Sequence, residues 1–148
     1  MLDVNESDKT VEALNSLLRG EISAVETYRQ ALEKLNHATS RRAIEDCLHS
    51  HESRVNLLTQ QVGQLGGQPS QGSGAWGSFA KLVEGGAKAF GEKAAIAALE
   101  EGEDHGLKQY RSELSKLNGQ ARQLVEMQLL PAQERTHRSM SQLKHTLH

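Results

Sequence analysis

RGEISAVETYRQALEKLN, residues 19–36, and EGEDHGLKQYRSELSKLN, residues 101–118, are two copies of one pattern. Eight of the eighteen positions are identical at a constant offset of 82 residues, among them Gly20/Gly102, Glu21/Glu103, Tyr28/Tyr110 and Leu35/Leu117. Two copies are too few for a solenoid, and they predict a chain made of two related halves. In the first copy Leu14, Leu18, Glu21, Val25, Tyr28, Leu32 and Leu35 alternate steps of four and three residues. Ile96, Glu100, Glu103, Leu107, Tyr110, Leu114 and Leu117 do the same in the second. This is a helical seam with period 3.5. Glu21 and Glu103 therefore stand where an apolar residue belongs. A carboxylate buried alone is costly, so each must be protonated, paired or bound to a metal.

Working outward, the first helix is predicted over the periodic run Val11–Leu35, with Ser7 or Asp8 as its cap. NHATS, 36–40, reads as a short turn. A second helix from about Arg41 to Leu65 carries the seam Ile44, Leu48, His51, Val55, Leu58, Val62 and Leu65, and Gly66-Gly67 ends it. GGQPSQGSGAWGSF follows, a loop by composition. Trp76, Phe79, Leu82, Val83 and Phe90 suggest a short helix within this connection, interrupted by Gly85-Gly86. A third helix is predicted from about Lys93 to Leu117. The fourth starts near Gln120 and continues through Leu130, His137, Met140, Leu143 and Leu147, with Pro131 expected to kink or split it. Short turns make antiparallel helix pairs, and one long connection between two such pairs makes a ferritin-like bundle. The predicted fold is therefore all-α: one domain over 1–148, with a first hairpin 8–65, a crossover 66–92 and a second hairpin 93–148.

Composition narrows the function classes. Aromatic residues make up 3% of the 148, and the formal net charge is −2 with no basic block. Neither stacking on bases nor binding to a phosphate backbone is favoured, so no nucleic-acid partner is expected. The longest apolar runs are far short of a membrane span, and MLDVNESDKT does not read as a signal peptide. No membrane partner is expected. A single cysteine, Cys47, rules out a disulfide framework among these residues and fits a reducing, cytoplasmic setting. Trp76, Phe79 and Phe90 lie outside the four seams. They would pack on the bundle of a monomer or form the patch of a homodimer.

Bundles of this topology bind two metals through one Glu from each of two helices and a Glu-x-x-His from each of the others. The i, i+3 spacing puts both side chains on one helix face, and mixed carboxylate and imidazole ligands suit iron, manganese or zinc. Glu21 and Glu103 supply the first kind of ligand, and Glu134 with His137 is a literal Glu-x-x-His. The second helix departs from the pattern. The 82-residue offset sets Glu52 against Glu134 but Val55 against His137, while the seam turns His51 inward. The candidate metal set is Glu21, Glu103, Glu134 and His137, joined by His51 or Glu52. The competing reading makes Glu21 and Glu103 core acids hydrogen-bonded to His51, His137 or a tyrosine, with no metal at all. Tyr28 and Tyr110 read as core residues with a polar tip, and Cys47 as a small core hydrophobe.

The first helix, with its Gly20-Glu21 and Tyr28, resembles the metal-ligand helix of bacterioferritin. More broadly, LNSLLRGEISAVETY (14–28), QLGGQP (64–69) and LEEGEDHGLKQYRSEL (99–114), followed by His137, resemble an uncharacterised proteobacterial family of ferritin-like four-helix bundles. The resemblance spans nearly the whole chain. It implies the bundle fold and keeps both GE glutamates and the late histidine, but it implies no settled activity. Three functions stay open: a metal-binding bundle, a metal-free structural or stress-associated bundle with a vestigial polar core, and a dimetal-carboxylate oxidase.

Overall fold

The seams fold as helices in the computed structural model, which describes residues 4–35, 38–74 and 91–147. The elements are α1 (Val4–Lys34), α2 (Ala38–Gln64), α3 (Glu92–Leu114), α4 (Gly119–Leu124), a π-helical turn (Val125–Leu129) and α5 (Leu130–Thr146). The last three run on as one fourth helix. Among the described residues there is no strand, and no helix is long and apolar enough to cross a membrane. The architecture is the expected ferritin-like helical bundle.

α1 begins a few residues before its expected cap, with Glu6 in its first turn, where the helix dipole favours an acid. α2 ends at a left-handed Gly66 (φ 79°), where the Gly67 N–H bonds the Val62 carbonyl at 3.0 Å and the Gly66 N–H bonds that of Gly63 at 3.0 Å. This doubly bonded glycine stop satisfies carbonyls that the helix would leave open. The chain then returns along α1. Asn15 donates to the Gln68 carbonyl and accepts from the Ser70 N–H, both at 2.9 Å.

Ser40, near the start of α2, hydrogen-bonds Glu92 at the start of α3. The two helices thus begin at the same end and run parallel. Parallel neighbours cannot be joined by a tight turn, and the return path must cover the length of α2, about 40 Å for its 27 residues. Residues 65–91 make that connection. Trp76, Phe79 and Phe90, and the short helix expected around them, lie outside the described residues.

The apolar faces form two clusters. One gathers Tyr28, Leu35, Ile44, Ile96, Leu99 and Met140, and the other Leu14, Leu18, Leu58, Tyr110, Val125 and Leu129. Each fully buried leucine or isoleucine stabilises by roughly 1.5–3 kcal/mol. Between the clusters lies a layer of buried polar side chains.

Pro131 does not split the helix in two. The helix widens into the π turn just before it, and the Leu130 N–H reaches back five residues to the Val125 carbonyl. The wide turn eases the clash between the proline ring and the preceding turn. It also changes which residues face inward. The buried seam runs through Ala121, Val125, Leu129, Gln133, Thr136, Met140 and Leu143, at steps of four, four, four, three, four and three, with Ala132 buried beside it. Repeated four-residue steps drift around a helix of about 3.6 residues per turn, and the π turn absorbs the drift. Leu130 and His137, placed on the expected seam, are only half-buried.

Candidate functional site: a buried polar layer

Six side chains from four helices meet in the layer between the two apolar clusters: Glu21 from α1, His51 and Arg54 from α2, Glu103 from α3, Gln133 and Thr136 from α5. None is more than 4% exposed, so each must find its partners inside the protein. The spacing follows from helical geometry. His51/Arg54 and Gln133/Thr136 are i, i+3 pairs, each presenting two side chains on one face. The 82-residue offset relates them all: Glu21 to Glu103, His51 to Gln133, Arg54 to Thr136.

Glu103 is the hub. Its Oε2 accepts from the Tyr28 hydroxyl at 2.6 Å and faces His51 Nε2 at 2.7 Å. Its Oε1 accepts from Thr136 Oγ1 at 2.7 Å and from Gln133 Nε2 at 2.9 Å. Four donors fill the capacity of a carboxylate. Glu21 is held more loosely. His51 Nδ1 lies 3.1 Å from its Oε2, Arg54 Nε 3.3 Å from the same oxygen, and Arg54 Nη1 3.5 Å from its Oε1. Arg54 also donates to the Gln133 side-chain carbonyl, and its Nη2 donates to Thr136 Oγ1 at 3.0 Å and Ser50 Oγ at 3.1 Å. Gln133 reaches Glu103 because position 106 is glycine: a Cβ there would lie 2.6 Å from Gln133 Nε2.

The electrostatics follow from burial set against these pairs. Burial and the adjacent Arg54 disfavour a charged His51, but Glu21 and Glu103 outweigh them and raise its pKa. Both ring nitrogens face carboxylates, which only accept, and a protonated ring would donate to both, although Nε2 also lies 3.3 Å from Arg54 Nη2. The Tyr28 ring stacks on the His51 ring with centroids 5.2 Å apart. Burial pushes the Glu103 carboxyl up, yet His51, Arg54 and Thr136 together hold it below the usual range. Arg54 is disfavoured by burial and raised overall by Glu21, then Tyr110 and Glu103. Burial, reinforced by Glu103, pushes the Cys47 thiol up to about 12, so it stays a protonated core group.

Of the expected metal-binding residues, the fold brings Glu21, His51 and Glu103 together and leaves Glu52, Glu134 and His137 elsewhere. Between His51 and Glu52, it is His51 that turns inward. Glu52 pairs at the surface with Arg29 at 2.9 Å and His49 at 3.3 Å. Glu134 is exposed, and His137 pairs with Asp104 on the outer side of α3 and α5. The inward pair on the fourth helix is Gln133/Thr136, one residue before Glu134/His137, about 100° around the helix. Among the described residues no group of three or more His, Cys, Asp or Glu is arranged to hold a metal ion. The donor set gives the reason. The oxygens of Glu103 are committed to four donors, and the Arg54 guanidinium stands against Glu21. A dication between the carboxylates would meet the Arg54 guanidinium and displace the His51 ring that already bridges Glu21 and Glu103. The residues present do not fit a metal.

Arg54, Gln133 and Thr136 escape a search for metal-ligand motifs. The 82-residue offset sets 51 against 133 and 54 against 136, but the residues differ in both pairs and the offset alone does not mark them as buried.

The structure is similar to one solved as "Crystal structure of ferritin like, diiron-carboxylate proteins from Bacillus anthracis str. Ames", with a TM-score of 0.67 and 16% sequence identity over 98% of this chain and 96% of that one. At that identity the likeness shows the fold alone. No curated protein matches the sequence. The family model described as "Domain of unknown function (DUF2383)" matches residues 9–116, which is most of the chain. The chain, a ferritin-like bundle by fold, belongs to that family.

Proposed function

We propose that this protein is a metal-independent ferritin-like bundle, in which Arg54 and His51 supply the positive charge that metal ions supply in a diiron-carboxylate relative. The observation that carries this reading is the Arg54 guanidinium inside the layer, 3.3 Å from Glu21 and bonded to Gln133 and Thr136. Two carboxylates face two cationic side chains, so no further cation is needed to neutralise them. The layer then acts in assembly. Only one alignment of the four helices satisfies all six side chains, and any slip leaves a buried charge unpaired, a penalty that favours one register. On this reading the protein is a rigid helical scaffold and not an oxygen-activating enzyme.

Elemental analysis of protein purified without chelator tests it, together with aerobic ferrous-iron oxidation. The expected result is metal well below one equivalent, unchanged by Glu21→Gln, and iron oxidation at the buffer rate. One or more equivalents of iron, manganese or zinc, lost on Glu21→Gln or Glu103→Gln, would overturn it. The second reading, a metal centre, draws on the convergence of Glu21, Glu103 and His51 and on the diiron-carboxylate title of the similar structure. It requires Arg54 to swing out of the layer, and Arg54→Ala should then raise metal affinity.

A further inference from the structure

A cavity of about 40 Å³ lies between α1 and α3, against the polar layer. It is built on the internal repeat. Six of its lining residues on α1 recur on α3 at the 82-residue offset, including Gly20/Gly102, Ala24/Gly106 and Tyr28/Tyr110. The cavity exists because both helices present glycine or alanine to each other there, leaving no side chains to fill the space.

The two halves of this cavity differ in one hydrogen bond. On one side the Tyr28 hydroxyl donates to Glu103 at 2.6 Å. The repeat predicts the mirror bond, Tyr110 to Glu21. It is not made. The Tyr110 hydroxyl is buried and finds no acceptor for its proton; Arg54, which can only donate, lies beside its oxygen, and Glu21 lies within electrostatic reach. Tyr110 is only 2% exposed, so bulk water does not serve it. Glu21 lines the same cavity and has the looser of the two carboxylate environments, its contacts running from 3.1 to 3.5 Å. A buried donor without an acceptor and a carboxylate with spare capacity thus face one small space. A buried phenol left unpaired costs free energy that a bridging molecule would recover.

We infer that the cavity is a binding site for a small neutral hydroxylic molecule, whose hydroxyl donates to Glu21 and accepts from Tyr110, with its carbon end against Leu17, Ala24 and Leu99. A water needs about 10–15 Å³ of such space, so the cavity holds about three waters or one molecule of about three non-hydrogen atoms. Water and a short-chain alcohol share the required chemistry. A neutral ligand fits better than an ammonium because Glu21 and Glu103 already face His51 and Arg54. With about three non-hydrogen atoms, the affinity for an alcohol is about millimolar or weaker.

The test uses ethanol and ethylammonium, which match in size and differ in charge. Each is titrated into the full chain, wild type, Tyr110→Phe and Ala24→Val, and followed by NMR, with a crystal structure soaked in ethanol. Ethanol should give saturable shifts centred on Glu21 and Tyr110, bind better than ethylammonium, weaken up to about tenfold in Tyr110→Phe and vanish in Ala24→Val. Without alcohol, the crystal should show an ordered water bridging Tyr110 and Glu21. Three results overturn the inference: a direct Tyr110–Glu21 hydrogen bond in the crystal, tighter binding of ethylammonium, or ethanol binding untouched by Tyr110→Phe. Arg29→Ala, at an exposed ion pair that does not line the cavity, is the control and should leave the affinities unchanged.

Discussion

Glu21, Tyr28, His51 and Arg54 in the first half occupy the positions that Glu103, Tyr110, Gln133 and Thr136 hold in the second, 82 residues on. The backbone is alike and the chemistry is not. The first half contributes both cationic side chains, and the second contributes neutral ones that pass hydrogen bonds. Glu103 collects donors from both halves, including Gln133 and Thr136 from its own hairpin. Glu21 depends on Arg54 and His51 at longer range. The difference shows that a two-fold design need not be kept symmetric to be kept satisfied. Once one half carries the charge, the other must carry amides and hydroxyls, because a second pair of cations would leave the layer with net charge in a low-dielectric interior.

The sharpest way to break this comparison is Arg54→Met, which keeps most of the volume and removes the charge. Leaving Glu21 without its guanidinium should cost about 3–5 kcal/mol, read as a lower urea midpoint with an unchanged slope. The double variant Glu21→Gln with Arg54→Met should recover a large part of that loss, since it removes both charges of the pair. Full additivity of the two changes would mean that they do not act as a pair.

The two tyrosines sharpen the comparison further. Tyr28→Phe removes a donor from a charged carboxylate and should cost roughly 1.5–3 kcal/mol. Tyr110→Phe removes a hydroxyl that donates to no protein group and should cost no more than about 1 kcal/mol. Equal losses in thermal or urea unfolding would show that the second half is bonded like the first.

The pH response has a definite sign. The folded-state pKa of His51 is raised, so its contribution is complete below its unfolded value near 6.5 and is lost as pH rises through the folded value. The folded-state pKa of Glu103 is lowered from 4.5, so its contribution is complete above 4.5 and is lost as pH falls through the folded value. Stability should therefore peak between these limits. His51→Gln should flatten the alkaline side of a Tm–pH profile and leave the acid side in place. An unchanged alkaline limb would place the titration elsewhere.

The smallest effect belongs to the surface. Arg29→Ala breaks an ion pair with Glu52 in which the arginine side chain is 60% exposed, and it should cost no more than about 0.5 kcal/mol, less in high salt. A loss comparable to that of Arg54→Met would mean that Glu52 matters to the layer after all.

Helix number, the antiparallel hairpins, the need for a long connection and the burial of Glu21 and Glu103 can all be read from the chain. Each is a consequence of period and spacing: apolar steps of three and four, Gly66 where α2 must stop, and an acid on a seam twice at one offset. His51 belongs partly with these, since its seam turned it inward but a competing register offered Glu52. What only the tertiary structure decided is who answers the two acids. Arginine is ordinarily a surface residue, so nothing local marks Arg54 as the buried cation; its burial exists only because Glu21, Gln133 and Thr136 come from other helices to meet it. Gln133 and Thr136 face inward in place of Glu134 and His137 because a π turn before Pro131 shifts the register of the fourth helix. A one-residue shift turns a side chain by about 100°, enough to exchange a ligand motif for a pair of neutral hydrogen-bonding groups.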